Sequence, residues 1–235
     1  MTAPAHVRAP VHRINHSQRR YSLPEGARQI VLVRHGSTGG EVVNRLQLGD
    51  LSISDPALLP EGHVQAEAVA QRLRYEPIRH IFATPLQRTQ QTAAPLVELL
   101  GIEPVVIDDL RETHLGDFEH DFSARAAAGD PLLKRMHAEE SWDVIPNAEP
   151  MAAFAARVRR GIEAILGHLD AGSTAVVFSH GGTIAEVCRQ ATGARGFSFL
   201  GPENTSISRL VVLTSGRWVL RGFNDVAHLP HPSPT

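Results

Sequence analysis

Cysteine is scarce: Cys188 is the only one in 235 residues. That excludes an internal disulfide and any thiolate zinc cluster, although thirteen histidines leave imidazole-based metal sites open. Nothing near Cys188 would activate it, and it reads as an inert buried thiol. Net charge is scarce as well, at −2 with an isoelectric point near 6.7. Such a balance supplies no basic field for nucleic acid and no polybasic membrane patch, which leaves a small polar substrate as the default partner. Acids are missing altogether from residues 1–24, which carry Arg8, Arg13, Arg19 and Arg20 with three histidines and three prolines. "QRRYS" superficially suggests a twin-arginine export signal, but the apolar run that should follow is broken by "LPEGARQ" and ends after four residues of "IVLV". The expectation is a cytoplasmic protein with a flexible N-terminal tail over 1–28, an organelle transit peptide being the minority reading. A second loose, proline-rich tail is expected over 225–235. His6, His12 and His16 have no accompanying carboxylate or cysteine and read as solvated.

Between the tails the pattern alternates. Residues 29–35 (QIVLVRH), 80–84 (HIFAT), 104–108 (PVVID) and 174–179 (TAVVFS) are short β-branched runs of the kind buried on both faces of a sheet. Helical stretches at 61–75, 85–100 and 150–169 separate them. In the last, Met151, Phe154, Ala155, Val158, Ile162, Ile165 and Leu169 recur at helical spacing. Pro85 and Pro150 suit a first helical turn. "SISRLVVLTS" and "RWVLRGFN" predict a closing hairpin around Ser215-Gly216. The alternation predicts an α/β fold, a three-layer α/β/α sandwich with a mostly parallel central sheet, in one domain over 29–224. Ligands bind such sheets at the carboxyl ends of the strands.

"VLVRHGST" ends its strand with Arg34 and His35, and Gly36 lets the chain turn there. "AVVFSHGG" ends in the same way with His180, Gly181 and Gly182, and "HIFATPLQRTQQT" places Arg88 at the start of a helix. Three strand ends distant in the chain thus offer two histidines and two arginines to one surface. Arginines grip oxyanions with paired donors, and a neutral imidazole is a competent nucleophile toward phosphorus. Arg34 and Arg88 should push His35 toward its neutral form, whereas phosphate oxygens should push His180 toward imidazolium. Glu112, in a polar segment after a predicted strand, can protonate the leaving alcohol, because a carboxyl beside a bound phosphate has its pKa raised.

"LVRHG", "TPLQRTQQTA", "LRETHLGDFE" and "SHGG", in that order and at these separations, resemble the histidine phosphatase superfamily, the phosphoglycerate-mutase-like fold, and its phosphatase branch in particular. The resemblance covers roughly residues 29–224. It implies a phosphohistidine mechanism with His35 as nucleophile, Arg34, Arg88 and His180 binding the phosphoryl group, and Glu112 as proton donor. It implies neither metal nor cofactor. "LLPEGHVQA" is similar to the family's "LTxxGxxQA", and "IPNAEP" to its "PxGES". Thr38, Arg45 and Gln47 match the family pattern. Ser37 stands where the family usually has Glu or Gln, and Glu41 where it commonly has Asn, a place Asn44 could fill instead; His120 replaces a glycine. Ser37, Thr38, Glu41, Asn44, Arg45, Gln47 and Gly181 therefore form the candidate substrate-binding set, and an anion at Glu41 would oppose a second phosphate or carboxylate.

A helical cap insertion is expected at about 117–148. Its one basic pair, Lys134-Arg135, would bind a carboxylate or lie on a solvated helix, and the second reading is favoured. The family's cofactor-dependent mutases resemble one another in a long insertion after the acid, but only 38 positions separate Glu112 from Pro150 here. The resemblance thus implies a metal-independent phosphomonoesterase acting on a small phosphorylated metabolite of sugar-phosphate or phosphoglycerate type. Phosphoglycerate mutase-type phosphotransfer is the alternative, and a non-catalytic binding protein is disfavoured because all five core catalytic positions are filled. The family is mixed in oligomeric state, so a homodimer is left open, and no sustained exposed apolar stripe decides it. Asn204-Thr205-Ser206 matches a glycosylation sequon, which is uninformative without a secretory signal.

Overall fold

The computed structural model describes residues 21–39 and 44–230. Glu41, residues 1–20 and residues 231–235 lie outside that description, and with them most of the expected N-terminal tail and the last five residues of the C-terminal one. Strand β1 (Arg28–Arg34) sits near the middle of a six-stranded sheet in the order β5-β4-β6-β1-β7-β8. β4 (Ile78–Ala83), β5 (Pro104–Val106) and β6 (Thr174–Ser179) run parallel to it, while β7 (Ile207–Val212) and β8 (Trp218–Asp225) form the antiparallel hairpin that the sequence predicts. Gly216, at φ 80°, takes the left-handed conformation in the hairpin turn.

Side chains alternate across the sheet, and each face has its own core. Ile30, Leu32, Ala175 and Val177 face helices α5 (Met151–His168) and α6 (Gly181–Thr192). Val31, Val33, Val176 and Phe178 face α1 (Pro60–Leu73) and α2 (Gln87–Leu100). The result is the expected three-layer α/β/α sandwich. Along α5 the expected apolar stripe is the buried one; Val158, Ile162 and Ile165 are fully covered, each contributing on the order of 2 kcal/mol. Among the described residues no helix is long and apolar enough to cross a membrane.

Three local expectations need correction. β5 is a strand, but not one buried on both faces: it lies at the sheet edge, and Val105 and Val106 are exposed. An apolar run alone does not distinguish a central strand from an edge one. Pro85 precedes the first turn of α2, which begins at Gln87, and Pro150 is the N-cap of α5. A small hairpin, β2 (Arg45–Leu48) with β3 (Leu51–Ser54), was not signalled, since its alternation spans only four residues on each side of the turn. Between β5 and α5 in the chain, two short helices, α3 (Phe122–Ala128) and α4 (Pro131–Glu139), pack over a third apolar cluster that includes Phe118, Met136 and Trp142.

Candidate active site

Parallel register pairs Arg34 of β1 with Ser179 of β6. The next residue of each strand therefore emerges at one level, and the rings of His35 and His180 lie 5.3 Å apart. The backbone N–H of His35 donates to the Ser179 carbonyl at 2.9 Å. A tight turn follows, for which two glycines are needed. A Cβ on Gly36 would lie 2.6 Å from the Gly62 carbonyl oxygen, and one on Gly62 would lie 2.2 Å from that of Ser37. The turn is held by N–H donation from Gly36 to Thr92 Oγ1 (3.0 Å) and from Ser37 to Gln65 Oε1 (2.8 Å). The "EGHVQ" segment thus shapes the loop that carries His35.

Hydrogen-bond logic fixes both tautomers. His35 Nδ1 is 2.8 Å from the Gly36 carbonyl, which can only accept, so Nδ1 carries the hydrogen and Nε2 keeps a lone pair. Burial pushes the His35 pKa well below its usual value, and the Arg88 and Arg34 charges push it further. Near His180, Thr89 Oγ1 donates its one hydrogen to a carbonyl, that of Leu86 (2.7 Å) or Thr84 (3.1 Å). Thr84 Oγ1 must then donate to Thr89 Oγ1 (2.9 Å), which leaves it to accept from His180 Nε2–H (2.9 Å). His180 Nδ1 is buried with no protein partner among the described residues. Contrary to the expected opposition between the two rings, His180 is also pushed well below its usual pKa, first by burial and then by Arg88. The upward push expected for it needs the negative charge of a phosphoryl group.

The cations are braced by carbonyls. Arg34 Nη1 donates to the Pro202 carbonyl at 2.7 Å, and its Nε is a buried donor with no protein partner among the described residues. Arg88 enters from the first turn of α2, donates to the Ser54 carbonyl at 2.8 Å and lies 4.0 Å from Asp55. Glu112 follows a 3-10 turn (Asp108–Leu110) and accepts N–H bonds from Gly182 (2.9 Å), Thr183 (3.2 Å) and Thr113 (3.0 Å). The first two are donors of the first turn of α6 that no helical carbonyl reaches. A Cβ on Gly182 would sit 2.6 Å from Glu112 Oε1, which accounts for the second glycine of "SHGG".

The Glu112 loop is itself clamped. Buried Arg157 of α5 donates to the carbonyls of Asp109 (2.9 Å), Arg111 (2.8 Å) and Glu112 (3.1 Å), and to both oxygens of Glu149 (2.8 and 2.6 Å). Burial would raise the Glu149 carboxyl, but the Arg157 guanidinium holds it below the usual range.

Arg34 and Glu112 open onto a cavity of about 350 Å³. Its far wall is apolar: Leu115, Phe122, Met136, Trp142 and Leu200. Trp142 is fixed there against Phe197, with ring centroids 4.7 Å apart.

Residues 30–226 match the model of the Histidine phosphatase superfamily (branch 1). The chain belongs to that superfamily. It is 32% identical over 213 residues to the probable phosphoglycerate mutase GpmB of Yersinia enterocolitica, covering 87% of this chain and 96% of the relative. The GpmB of Serratia proteamaculans is 30% identical over the same shares. Among solved structures, "Mycobacterial hydrolase 1" is 29% identical with a TM-score of 0.70, over 85% of this chain and 99% of that one. The mycobacterial glucosyl-3-phosphoglycerate phosphatase is also 29% identical, with a TM-score of 0.68 over 84% and 99%. This histidine phosphatase superfamily member is therefore an enzyme of phosphatase or mutase type.

Within this superfamily member the five residues taken as catalytic come together, but the substrate-binding set divides. Gly181 lines the cavity; Ser37 and Thr38 lie on the turn after His35, with Thr38 bridged to Leu58. Arg45 and Gln47 are exposed on β2, Gln47 giving its amide to the Gly49 carbonyl, and Asn44 is exposed just before them. Glu41 is outside the described residues. Lys134 is exposed and Arg135 pairs with Glu139 at 2.6 Å on α4. His120 touches Ser54 Oγ at 3.0 Å, joining β3 to the loop after Glu112.

Sequence reasoning missed Thr84, Arg157, Asn204 and the apolar wall. Asn204 Nδ2 donates to the His35 carbonyl at 2.9 Å, so the sequon asparagine buttresses the nucleophile's loop. Arg157 lies on α5 next to the apolar stripe, between the buried Phe154 and Gly161, and its own burial is the signal that no pattern carried. Cys188 is buried in the sheet's α5/α6 core, where burial raises its thiol to about 12, as suits an inert residue.

Proposed function

We propose that this enzyme is a phosphomonoesterase acting through a phosphohistidine. The observation that carries the reading is the neutral His35, its Nε2 lone pair set by Nδ1–H donation to Gly36, in a buried pocket with Arg34 and Arg88. In the first step the Nε2 lone pair forms a bond to phosphorus. The bond from phosphorus to the ester oxygen breaks, and the Glu112 carboxyl gives its proton to the departing alkoxide. In the second, Glu112 takes a proton from water whose oxygen bonds to phosphorus as the N–P bond breaks, releasing phosphate and restoring both residues. Arg34 and Arg88 hold the equatorial oxygens.

Contact between His180 Nδ1 and a phosphoryl oxygen needs one proton, which the ester monoanion brings to the neutral ring or the ring takes up beside the phosphoryl charge. Turnover then falls as pH rises through the ester's second pKa, about 6. Its acid limb, protonation of His35, lies well below the usual histidine range. Mutase-type phosphotransfer is the second reading, favoured by the likeness to the probable phosphoglycerate mutases of Yersinia and Serratia. The cavity weighs against it: among its described lining residues Arg34 is the only Arg or Lys, so no second fixed cation clamps an acid substrate. The test is hydrolysis of an aryl phosphate with chelator present, alongside His35→Ala and Glu112→Ala. Activity retained by the wild type and lost in His35→Ala supports the reading. Interconversion of phosphoglycerates that is primed by 2,3-bisphosphoglycerate and outpaces hydrolysis would replace it with the mutase.

A further inference from the structure

Resting on the phosphomonoesterase reading, we infer that the preferred substrates carry an apolar leaving group, aliphatic or aromatic, rather than a sugar or a phosphoglycerate. The polar groups of the cavity gather at the phosphoryl end: Arg34, Glu112 and Thr113, whose buried Oγ1 has no protein partner among the described residues. These can serve the ester oxygen and the first atoms beyond it. Among the described lining residues Thr113 supplies the only hydroxyl. Past it the wall is Leu115, Phe122, Met136, Trp142, Leu200 and Gly201, and among the described residues there the one titratable side chain is His137, exposed on α4 with its ring against Phe197.

A sugar placed in that space would exchange water for hydrocarbon at several hydroxyls, and a carboxylate there would leave water with no fixed cation beyond Arg34 among the described lining residues to meet it. Each would lose more than it gained. An alkyl or aryl group matches the wall, and a cavity of about 350 Å³ has room for one. The wall is also held in place: Met136 is fully buried and Trp142 is 8% exposed, both within the third apolar cluster.

The test is a homologous series, ethyl to hexyl phosphate, because these alcohols differ little in leaving-group acidity and any trend reports binding of the chain. kcat/KM should rise about fourfold per added methylene until the cavity is full, and hexyl phosphate should exceed 3-phosphoglycerate and glucose 6-phosphate at least tenfold. Phe122→Ser and Leu115→Ser should flatten the increment per methylene, whereas a general folding defect would lower every member equally. A flat series with His35-dependent turnover, or 3-phosphoglycerate turned over better than hexyl phosphate, overturns the leaving-group assignment alone. Hydrolysis that survives His35→Ala, or no hydrolysis of any ester, overturns the phosphomonoesterase reading beneath it.

Discussion

At one end of the site His35, Arg88 and His180 are each less than a tenth exposed, and each is tied to a backbone carbonyl or a hydroxyl. At the other, Leu115, Phe122 and Leu200 are half-buried and offer only hydrocarbon. The first end cannot change without leaving a buried polar group unpaired, which costs about 1–3 kcal/mol each time. The second can exchange one apolar side chain for another at smaller cost. On the proposed reading, reaction chemistry is set where the sheet's strands end, and substrate choice where α3, α4 and the segment around Leu200 cover it.

The sharpest way to break this comparison is His35→Ala, which should lower kcat by at least about a thousandfold on every ester while leaving the apolar wall intact. Equal activity in this variant would mean that the charged end does not hold the nucleophile. Next is Gly182→Ala. The added Cβ must displace Glu112 by roughly 1 Å, and kcat should fall about a hundredfold with little change in thermal stability. Arg157→Ala tests the clamp behind Glu112. It leaves the half-buried Glu149 without its partner and three backbone carbonyls without their donor, and urea unfolding should report a loss of about 2 kcal/mol.

A smaller effect concerns pH. His35 and His180 both titrate well below 6.5 in the folded protein, so above 6.5 neither state binds the proton and the rings contribute nothing to the pH dependence. Below 6.5 the unfolded chain takes up protons that the native rings refuse. The folding constant should then fall by up to about tenfold per pH unit for each histidine, and His180→Asn should show the shallower slope. Smallest of all is Lys134→Ala on exposed α4, expected to change kcat/KM for phosphoglycerate by less than twofold. A large loss there would give the cavity an acid-binding cation and blur the contrast between its two ends.

The same contrast explains what could be read from the chain. Arg34, His35, Arg88, Glu112 and His180 were legible because each follows a strand with a clear apolar run, or opens a helix, and because polar side chains at such places have few structural uses. The parallel sheet was legible from the same runs. β5 misled because burial depends on what covers a strand, not on the strand's composition. Arg157 and Thr84 escaped because a hydrogen-bonding role for an arginine within a helix, or a threonine after a strand, has no local signature. The apolar wall escaped for a different reason: Leu115, Phe122, Met136, Trp142 and Leu200 come from five segments, and only the packing of α3 and α4 brings them to one cavity.

The central claim is a covalent bond between phosphorus and His35, and it is tested most directly by quenching turnover in base, where a phosphohistidine survives, and mapping the phosphoryl group by mass spectrometry. The phosphoryl group should be found on the His35 imidazole, absent from His35→Ala and present in greater amount in Glu112→Ala turning over an aryl ester, whose leaving group needs no acid but whose dephosphorylation still needs a base. Full turnover with no labelled histidine, or a label on another residue, would contradict the account.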